Sequence, residues 1–479
     1  MRPSNSERQP VYKGRSRVRL LDLDASPASL FAPLAARPGS IFLDSALTDR
    51  YGLGRWSFIM YDPLFTLSDR DDTIVFRIGN RLRWERINFF EALRQSLALF
   101  SVKGEPSWIP FRGGAAGYFA YELGRQTERL PAAAVDDLNL PEACLGFYDI
   151  VLAFDHLMEQ WFLCHIDFGL KRPDLEARFR EVKILVAKAK MGPGERAELH
   201  AGPLQSNFEP EQYLEAIARA RRYIEAGDIY QANVSQRFSA VIEQGEPWQV
   251  YERLREKNAA PFAAFLQFGA FQVLSSSPER FLLARGDRVE TRPIKGTRPR
   301  GESPREDAWY KAQLLASIKD RAELNMIVDL ERNDLGRVCR YGTVAVTRHA
   351  QCESYARVHH LVSTVEGMLR PDCDVADLML AAFPGGSITG APKIRAMEII
   401  DELEPNVRSV YTGSIGYIGF DGDLDLNIAI RTMIISGRRV CFGSGGGIVY
   451  DSDPQMEYDE TYDKARALIE ALGGRVGGF

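Results

Sequence analysis

The strongest constraint on the fold is an alternation of apolar and polar residues near the C-terminal end of the chain. Residues 424–431 read LDLNIAIR, and an extended chain places alternate residues on opposite faces of a strand. One face would carry Leu424, Leu426, Ile428 and Ile430, and the other Asp425, Asn427, Ala429 and Arg431. Asp421-Gly422 and Ser436-Gly437 have the composition of tight turns. The range 413–449 is therefore predicted to form antiparallel strands.

Patterns elsewhere predict a mixture of strands and helices. Strands are expected at 40–47, 57–62 and 73–78, the mixed pattern continues at 114–123 and 148–156, and helices are expected at 89–100, 210–227, 304–318 and 321–332. Ser303 and Glu306 have the spacing of a capping box, with Pro304 at the first helical position. Because 479 residues exceed one typical core, we predict an α+β fold with two lobes. A linker is expected at 190–210, between regions at 15–190 and 207–470.

Bulk composition narrows the functional classes. The formal net charge of −5 argues against nucleic acid or anionic lipid as the main partner, because such binding needs a broad basic field. The six cysteines lie far apart without a C-x-x-C, which is typical of free thiols in a reducing cytoplasm. The N-terminus lacks the apolar core of a signal peptide, and no apolar run is long enough to span a bilayer. We expect a cytoplasmic protein.

A cationic run at 291–301, TRPIKGTRPRG, contains four basic residues and no acid. In a mildly acidic chain it favours a site for a small anion, although a solvated loop is the simpler explanation of a basic run taken alone. Lys295 lies between Ile294 and Gly296, and a desolvated lysine can lose its proton and act as a nucleophile. Its alternative role is a fixed positive charge that only binds a carboxylate.

Two pairs of carboxylates have the spacing of a helix face. Asp320 and Glu323 are three residues apart on a predicted helix, and Glu457 and Glu460 repeat that spacing near the C-terminus. If the two faces meet, four carboxylates suit Mg²⁺, which takes oxygen ligands and keeps waters that an anionic substrate can share. The alternative is ordinary surface charge, with Lys464 paired to Glu460 four residues earlier.

The glycine-rich loops do not match nucleotide sites. The loop 384–393, PGGSITGAPK, has alanine where a P-loop needs lysine, and 442–450, FGSGGGIVY, continues as a strand pattern where a dinucleotide site needs a helix. Glycines there permit close approach of the backbone to a ligand, or simply tight turns. The sequence has no H-E-x-x-H and no G-x-S-x-G, so zinc hydrolysis and serine acyl transfer lack support. Arg431 would either clamp a carboxylate or meet a structural acid.

Seven motifs occur in the order found in one known family. They are SSSPERF (275–281), RPIKGTRPRG (292–301), KDRAELNMIVDLERNDLGRV (319–338), HHLVSTV (359–365), PGGSITGAPKIRAMEIIDELEP (384–405), GSIGYIGFDGDLDLNIAIRT (413–432) and GSGGGIVYDSDPQMEYDETYDKA (443–465). The chain thereby resembles the chorismate-utilising enzymes, strongly over about 207–470 and more loosely before that. The resemblance implies antiparallel β-sheets in a sandwich flanked by helices, with the active cleft in the C-terminal two-thirds.

The segment at Lys295 separates two branches of that family. Anthranilate synthases usually read PIAGT there and aminodeoxychorismate synthases PIKGT, so this sequence resembles the latter. The resemblance implies a synthase subunit that converts chorismate and ammonia to 4-amino-4-deoxychorismate, for p-aminobenzoate and folate biosynthesis. The alternative is anthranilate synthase component I, which makes anthranilate and pyruvate from chorismate. An alternative of another class is a catalytically silent subunit that only binds chorismate-like acids or a partner.

The resemblance also implies roles for single residues. The catalytic residues would be Lys295, Glu279, His360 and Thr297. The substrate would be bound by Tyr417, Arg431, Gly445, Gly446, Gly447 and Lys464. Mg²⁺ would be bound directly by Glu323 and Glu460, and through waters by Asp320 and Glu457. Gln231 matches a lysine that activates water in some relatives, and glutamine cannot act as that base, which fits ammonia as the nucleophile. The chain shows no cysteine in a glycine-rich nucleophile turn, so a separate glutamine amidotransferase subunit is implied as the source of ammonia.

Three segments depart from the family pattern. Leu324 and Asn325 stand in the reverse of the usual order, and Glu331 replaces a residue that is more often apolar or basic. Both leave Glu323 in place, so they bear on local packing. Asp44 alters the segment at Ser45, which lines a tryptophan pocket in relatives. We therefore expect no feedback inhibition, and either a tryptophan held for structure or an empty pocket at Ser45.

Overall fold

The computed structural model describes residues 12–48, 52–70, 73–103, 108–192, 197–355 and 358–474. Within these ranges the chain forms ten α-helices: α1 (Pro27–Phe31), α2 (Phe89–Ala98), α3 (Leu175–Lys190), α4 (Pro210–Glu225), α5 (Pro247–Lys257), α6 (Pro304–Ala316), α7 (Ile318–Gly336), α8 (Val375–Ala382), α9 (Lys393–Leu403) and α10 (Pro454–Ala471). None of these helices is long and apolar enough to cross a membrane. Residues 1–11, where the sequence shows no signal-peptide core, lie outside the described ranges.

The strands, numbered in chain order, form two large sheets. In spatial order the first sheet contains β12 (His200–Ala201), β14 (Gln231–Gln244), β26 (Arg439–Ile448), β25 (Thr432–Ser436), β16 (Phe271–Ser277), β15 (Phe262–Gln267), β2 (Ser40–Asp44), β3 (Trp56–Met60), β10 (Ile150–Asp155), β11 (Gln160–Asp167), β1 (Tyr12–Leu21) and β7 (Phe100–Lys103), while β13 (Gln205–Ser206) and β22 (Gly390–Ala391) also pair with β14. Its pairs are antiparallel except for β1 and β7, which run parallel.

The second sheet is entirely antiparallel. In spatial order it contains β19 (Ile294–Pro299), β21 (Val358–Met368), β18 (Arg288–Thr291), β17 (Arg280–Arg285), β24 (Leu424–Asn427), β23 (Ser414–Gly419), β8 (Gly114–Phe119), β9 (Ala143–Tyr148), β4 (Phe65–Arg70), β5 (Thr73–Ile78) and β6 (Arg81–Glu85), while β20 (Ala345–Ser354) pairs with β21. The edge strand β19 carries most of the cationic run.

The two sheets pack face to face, with helices on their outer faces. Phe58 and Val151 from the first sheet meet Tyr118 and Ile415 from the second in one buried cluster. Helices α1, α3, α5 and α10 cover the outer face of the first sheet, and α2, α7 and α8 cover that of the second. Each fully buried aromatic or large aliphatic side chain contributes roughly 1.5–3 kcal/mol to such layers. The predicted α+β sandwich flanked by helices is confirmed.

Each sheet contains one block of strands from the first part of the sequence and one block from the second, and the two blocks meet at one strand pair. In the first sheet β2 pairs with β15, and in the second β8 pairs with β23. Neither 15–190 nor 207–470 therefore completes a sheet alone. The range 190–210, predicted as a linker, contains the short strands β12 and β13, while residues 193–196 lie outside the described part of the chain.

The prediction of one continuous strand over 424–431 is wrong. β24 ends at Asn427 in the second sheet, and β25 begins at Thr432 in the first, so the chain crosses between the sheets over 428–431. The Asn427 side chain accepts a hydrogen bond from the Ile415 amide (2.8 Å), and Arg431 adopts a φ of 50°, which ends the extended conformation. Alternation alone cannot distinguish one strand from a strand followed by a crossing. The predicted turns hold, since Gly422 and Gly437 have φ of 88° and 60°.

The helix signals near the cationic run position one pair of the predicted metal-binding carboxylates. Ser303 accepts a hydrogen bond from the Glu306 amide at 3.2 Å, and α6 begins at Pro304 as predicted. Helix α7 begins at Ile318, three residues before the predicted start, because Ser317 caps it by accepting from the Asp320 amide (3.2 Å). Asp320 therefore lies in the first turn of α7, where the helix dipole favours a negative charge.

Candidate active site

Lys295 lies at a bulge in the edge strand β19. Lys295 pairs with Leu361 of β21, and Thr297 pairs with His360 of the same strand. The register shifts between Lys295 and Thr297. Gly296 occupies the bulge with φ of 75°, and a Cβ there would come within 2.9 Å of the Asp320 side chain. A glycine is needed at this point because the strand approaches α7 closely with a left-handed backbone. The bulge directs Lys295 toward the carboxylates of α7 and α10.

The arginines of the cationic run are neutralised by acids. Arg292 forms a buried ion pair with Glu353, Arg298 contacts Asp320 at 2.9 Å, and Arg300 binds Asp307 at 2.6 Å. Lys295 differs from them, since burial lowers the pKa of its ammonium group even though Glu323 acts in the opposite direction. A lowered pKa increases the fraction of neutral amine, which is the nucleophilic form.

The four sequence-predicted carboxylates come from two helices that face each other across the site. Burial raises the pKa of Glu323, and the charges of Asp320 and Glu457 add to that effect. Burial also raises the pKa of Glu457, and its Oε1 accepts a hydrogen bond from Ser452 at 2.7 Å. Burial acts to raise the pKa of Glu460 too, but Lys464 outweighs it, so the pKa lies below its ordinary value.

These carboxylates suit a divalent cation by their chemistry. As the side chains stand, no three His, Cys, Asp or Glu residues within the described ranges lie close enough together to hold a metal ion. Glu323 and Glu457 nevertheless oppose each other's ionisation, and a cation between the helices would relieve that repulsion. An all-oxygen donor set matches the preference of Mg²⁺. The donor chemistry of these residues therefore fits Mg²⁺.

Glu279 is a buried carboxyl group near Lys295. It follows β16 in the SPER segment, is 6% exposed, and its backbone oxygen accepts from the Ile428 amide at 3.0 Å. Burial raises its pKa to about 7, against the opposing effects of the Ser387 hydroxyl and the Lys295 charge. A carboxyl group that is half protonated near neutral pH can act as a general acid.

His360 and Thr297 lie side by side on adjacent strands. The Thr297 Oγ1 and His360 Nδ1 atoms are 2.9 Å apart. Burial, assisted by the positive charge of Arg431, lowers the pKa of His360 to about 4. The imidazole is therefore neutral at physiological pH, and it can exchange a hydrogen bond with the threonine without carrying charge.

Arg431 is a half-buried cation on the segment that joins the two sheets. Its Nη1 donates to the Asn258 side-chain oxygen at 2.8 Å, and burial lowers its pKa. No carboxylate among the described residues forms an ion pair with it. The sequence left open a structural acid partner for this arginine, and the observed surroundings favour an external anion instead.

The glycines at 445–447 lie in β26, where they let other groups approach the backbone. Lys464 Nζ donates to the Gly445 carbonyl oxygen at 2.9 Å. A Cβ at Gly446 would lie 2.9 Å from a Glu457 carboxylate oxygen, and one at Gly447 would lie 3.5 Å from Lys295 Nζ and collide with the Gln231 amide. The strand therefore forms one wall of the site, opposite Lys295.

Tyr417 does not lie among these residues. Its hydroxyl oxygen accepts a hydrogen bond from Arg285 (2.6 Å), and its ring stacks on Phe111 with centroids 4.4 Å apart in the layer between the sheets. Strand alternation directs this side chain into a cavity of about 310 Å³ that is also lined by Ser45. The structure therefore places Tyr417 apart from the other residues predicted to bind substrate.

The structure reveals three neighbours that the sequence did not single out. Asn258 accepts a hydrogen bond from Arg431. The Ser387 hydroxyl acts to lower the pKa of Glu279. The charge of Lys319 acts to lower the pKa values of three predicted metal-site acids, Glu323, Glu457 and Glu460. Lys319 had a detectable signal, because it precedes Glu323 by four residues on the same helix. Asn258 and Ser387 had none, since they reach the site through long-range packing.

Comparisons with known proteins agree with this arrangement. The family described as chorismate binding enzyme matches residues 45–470. Aminodeoxychorismate synthase component 1 of Klebsiella aerogenes is 40% identical over 443 residues, which cover 92% of this chain and 95% of that protein. Anthranilate synthase component 1 of Thermus thermophilus is 39% identical over 467 residues, covering 95% and 96%.

A solved structure supports the fold independently. The crystal structure of anthranilate synthase component I from Streptococcus pneumoniae superposes with a TM-score of 0.77 at 31% identity, covering 88% of this chain and 95% of that chain. The similarity thus covers most of both chains.

Proposed function

This chain belongs to the chorismate-binding enzyme family, and from that premise we propose that it is the synthase component that replaces the ring hydroxyl of chorismate with an amino group. The product is 4-amino-4-deoxychorismate, a precursor of p-aminobenzoate and folate. The single observation that carries the assignment is the lysine at position 295, held half-buried beside carboxylates with its pKa lowered by burial.

Lys295 and Glu279 carry the proposed chemistry together. The neutral Lys295 amine attacks the ring and forms a carbon–nitrogen bond, while the ring hydroxyl takes a proton from Glu279 and leaves as water. Ammonia then attacks the ring, displaces the lysine and leaves its nitrogen as the new amino group. Glu279 regains a proton from the attacking nitrogen, so the enzyme returns to its starting state.

The other residues bind and orient the substrate. Arg431 and Lys464 carry positive charge toward the substrate carboxylates, and the backbone at 445–447 allows close approach. His360 and Thr297 lie beside the ring as a neutral hydrogen-bonding pair. Mg²⁺ would be held by Glu323 and Glu460, with Asp320 and Glu457 acting through waters, and when bound it would supply positive charge to a ring carboxylate.

The source of ammonia is a separate glutamine amidotransferase subunit in this proposal. The relatives carry the name component 1, which supports a second component. We place the reaction in the cytoplasm, and the six free cysteines support that choice. For the cavity at Ser45, a tryptophan held for structure and an empty pocket stay the two proposals.

The test is to identify the product. The protein is incubated with chorismate, Mg²⁺ and ammonium, and 4-amino-4-deoxychorismate is detected by coupling to its lyase. Ammonia-dependent formation of that product is expected, and fluorescent anthranilate as the main product would overturn the choice between the two branches. Lys295→Ala should bind chorismate but turn it over only at background, a loss on the scale of about 10⁶-fold seen when nucleophiles are removed. Turnover retained in this variant would exclude the covalent step.

A further inference from the structure

The Lys464 ammonium group occupies a position between a metal-site acid and the glycine strand. Its Nζ lies 2.8 Å from Glu460 Oε1 and donates to the Gly445 carbonyl oxygen at 2.9 Å. A Cβ built on Gly446 would lie 3.6 Å from the same nitrogen and 2.9 Å from Glu457 Oε2. The ammonium group therefore pairs with Glu460 and lies on the same side of α10 as Glu457, the other predicted metal-site acid of this helix.

This position creates competition for one oxygen. Glu460 is assigned as a direct Mg²⁺ ligand, and an ammonium ion already neutralises its Oε1. A divalent cation at the same carboxylate would repel an ammonium group held so close. Both side chains are about half exposed, 43% for Lys464 and 50% for Glu460, so the lysine has room to move away on its flexible stem.

We propose that Lys464 is an exchangeable cation, which neutralises Glu460 in the unliganded enzyme and transfers to a substrate carboxylate on binding, so that Mg²⁺ and substrate bind cooperatively. An arriving dicarboxylate offers the ammonium group a new partner, and Glu460 is then released for the metal. The inference rests on the proposed function for the identity of that dicarboxylate. By linkage, Mg²⁺ must increase substrate affinity by the same factor as substrate increases Mg²⁺ affinity.

The first experiment uses the metal alone. Isothermal titration of Mg²⁺ into the full chain without chorismate should give a Kd about two- to fivefold lower for Lys464→Gln than for the natural sequence, the effect of removing one partly exposed ion pair. Arg466→Gln is the matched control, because Arg466 lies on the same helix and pairs with Asp463. Its Mg²⁺ affinity should be unchanged. An unchanged or weaker affinity in Lys464→Gln would overturn the proposal.

Two further variants separate charge from structural damage. Lys464→Arg keeps the positive charge and should bind Mg²⁺ as weakly as the natural sequence does. Binding as tight as that of Lys464→Gln would contradict an electrostatic origin. Glu460→Gln removes the oxygen in question and should weaken Mg²⁺ binding whether or not Lys464 is present. If Glu460→Gln left Mg²⁺ binding unchanged, Glu460 would not be the group for which Lys464 and Mg²⁺ compete, and the proposal would be overturned.

The second experiment adds chorismate without ammonia. Chorismate should tighten Mg²⁺ binding to the natural sequence and have a smaller effect on Lys464→Gln, because the exchange has been removed. Equal tightening in both proteins would overturn the cooperative part. If chorismate does not bind the natural sequence at all, the proposed function fails, and the titrations with the metal alone still decide the role of Lys464.

Discussion

At the scale of single residues, burial shifts the pKa values of the two proposed reacting groups in the directions that the proposed chemistry needs. It lowers the pKa of the Lys295 ammonium and raises the pKa of the Glu279 carboxyl to about 7. The charged form of each is disfavoured in the cleft, so a neutral amine and a protonated acid become available together. The same physical cause therefore favours the reactive form of both the proposed nucleophile and the proposed general acid.

The pH dependence of activity should report Glu279. Because this acid must be protonated in the free enzyme, kcat/KM is expected to fall as pH rises through about 7. Glu279→Gln should lose about 10²–10⁴-fold in kcat, since an amide cannot donate the proton to the leaving hydroxyl. A steady-state pH profile with coupled product detection measures both effects. A profile that stays flat to pH 9 would remove Glu279 from the acid role.

The pH dependence of stability should report His360. Its pKa falls to about 4 in the folded protein, against an ordinary value of about 6.5, so the folded state binds fewer protons between these values. The stability it contributes is fully present above pH 6.5 and is lost as pH falls toward 4. His360→Gln should therefore lose less stability between pH 7 and pH 4.5 than the natural sequence, as measured by thermal unfolding. An identical pH slope in the two proteins would contradict the buried neutral imidazole.

Sequence motifs indicate which single residues to consider as candidates, whereas their long-range neighbours leave no signal in the sequence. Lys295, Glu279 and Arg431 stand in motifs whose residue types report their chemistry. Tyr417 stood in such a motif too, yet it faces the layer between the sheets because strand alternation decides its direction. The partners Asn258 and Ser387 arrive from distant segments, so no local pattern indicates them.

At the scale of elements, the bulge in β19 determines the direction of the Lys295 side chain. Gly296 combines a φ of 75° with close approach to Asp320, whereas Gly286 in the β17–β18 turn has a φ of 58° and open space around its Cα. A side chain added at Gly286 would therefore meet backbone strain alone, whereas one added at Gly296 would meet backbone strain and steric contact together.

Alanine at the two positions tests that distinction. Gly286→Ala should cost about 1 kcal/mol of stability through the positive φ and leave turnover unchanged. Gly296→Ala should cost more and also reduce kcat, because the new methyl group displaces Asp320 and redirects Lys295. Urea unfolding and steady-state turnover measure the two effects. Equal activity in both variants would show that the bulge does not position the lysine.

Element boundaries were predictable where a cap or a turn residue marks them. Pro210 and Pro304 begin helices at the predicted places, and Gly422 and Gly437 form the predicted turns. The crossing at 428–431 was not predictable, since its residues continue the period of two while the backbone leaves the sheet. Local periodicity reports which face is buried, and it does not report which sheet a strand joins.

At the scale of the whole molecule, the two sequence regions each contribute one half of both sheets, joined at a single strand pair in each sheet. β15 needs β2, and β23 needs β8, as hydrogen-bonded neighbours. Removing the first region would expose long strand edges and the apolar layer between the sheets. Sheet order could not be predicted from the sequence, because the strand pairs that join the two regions, such as Ala263 with Asp44 and Ser414 with Phe119, are distant along the chain.

A fragment covering 207–479 should therefore fail to fold on its own. We expect no cooperative thermal transition and no chorismate turnover, although the fragment retains every proposed catalytic residue. Differential scanning calorimetry and circular dichroism of the purified fragment make the measurement, with the full chain as the control. A cooperative transition in the fragment would show that the regions at 15–190 and 207–470 are independent domains.

The crossing of the chain at 428–431 also has a mechanical consequence. Sliding of packed layers is a common small-amplitude motion, and here it would change the distance between Arg431, on the connecting segment, and Lys295, on the edge of one layer. An anion gripped by both cations would resist that sliding. Occupancy of the cleft should then slow amide hydrogen exchange across the connecting segment, because the bound substrate restrains the movement of one sheet relative to the other.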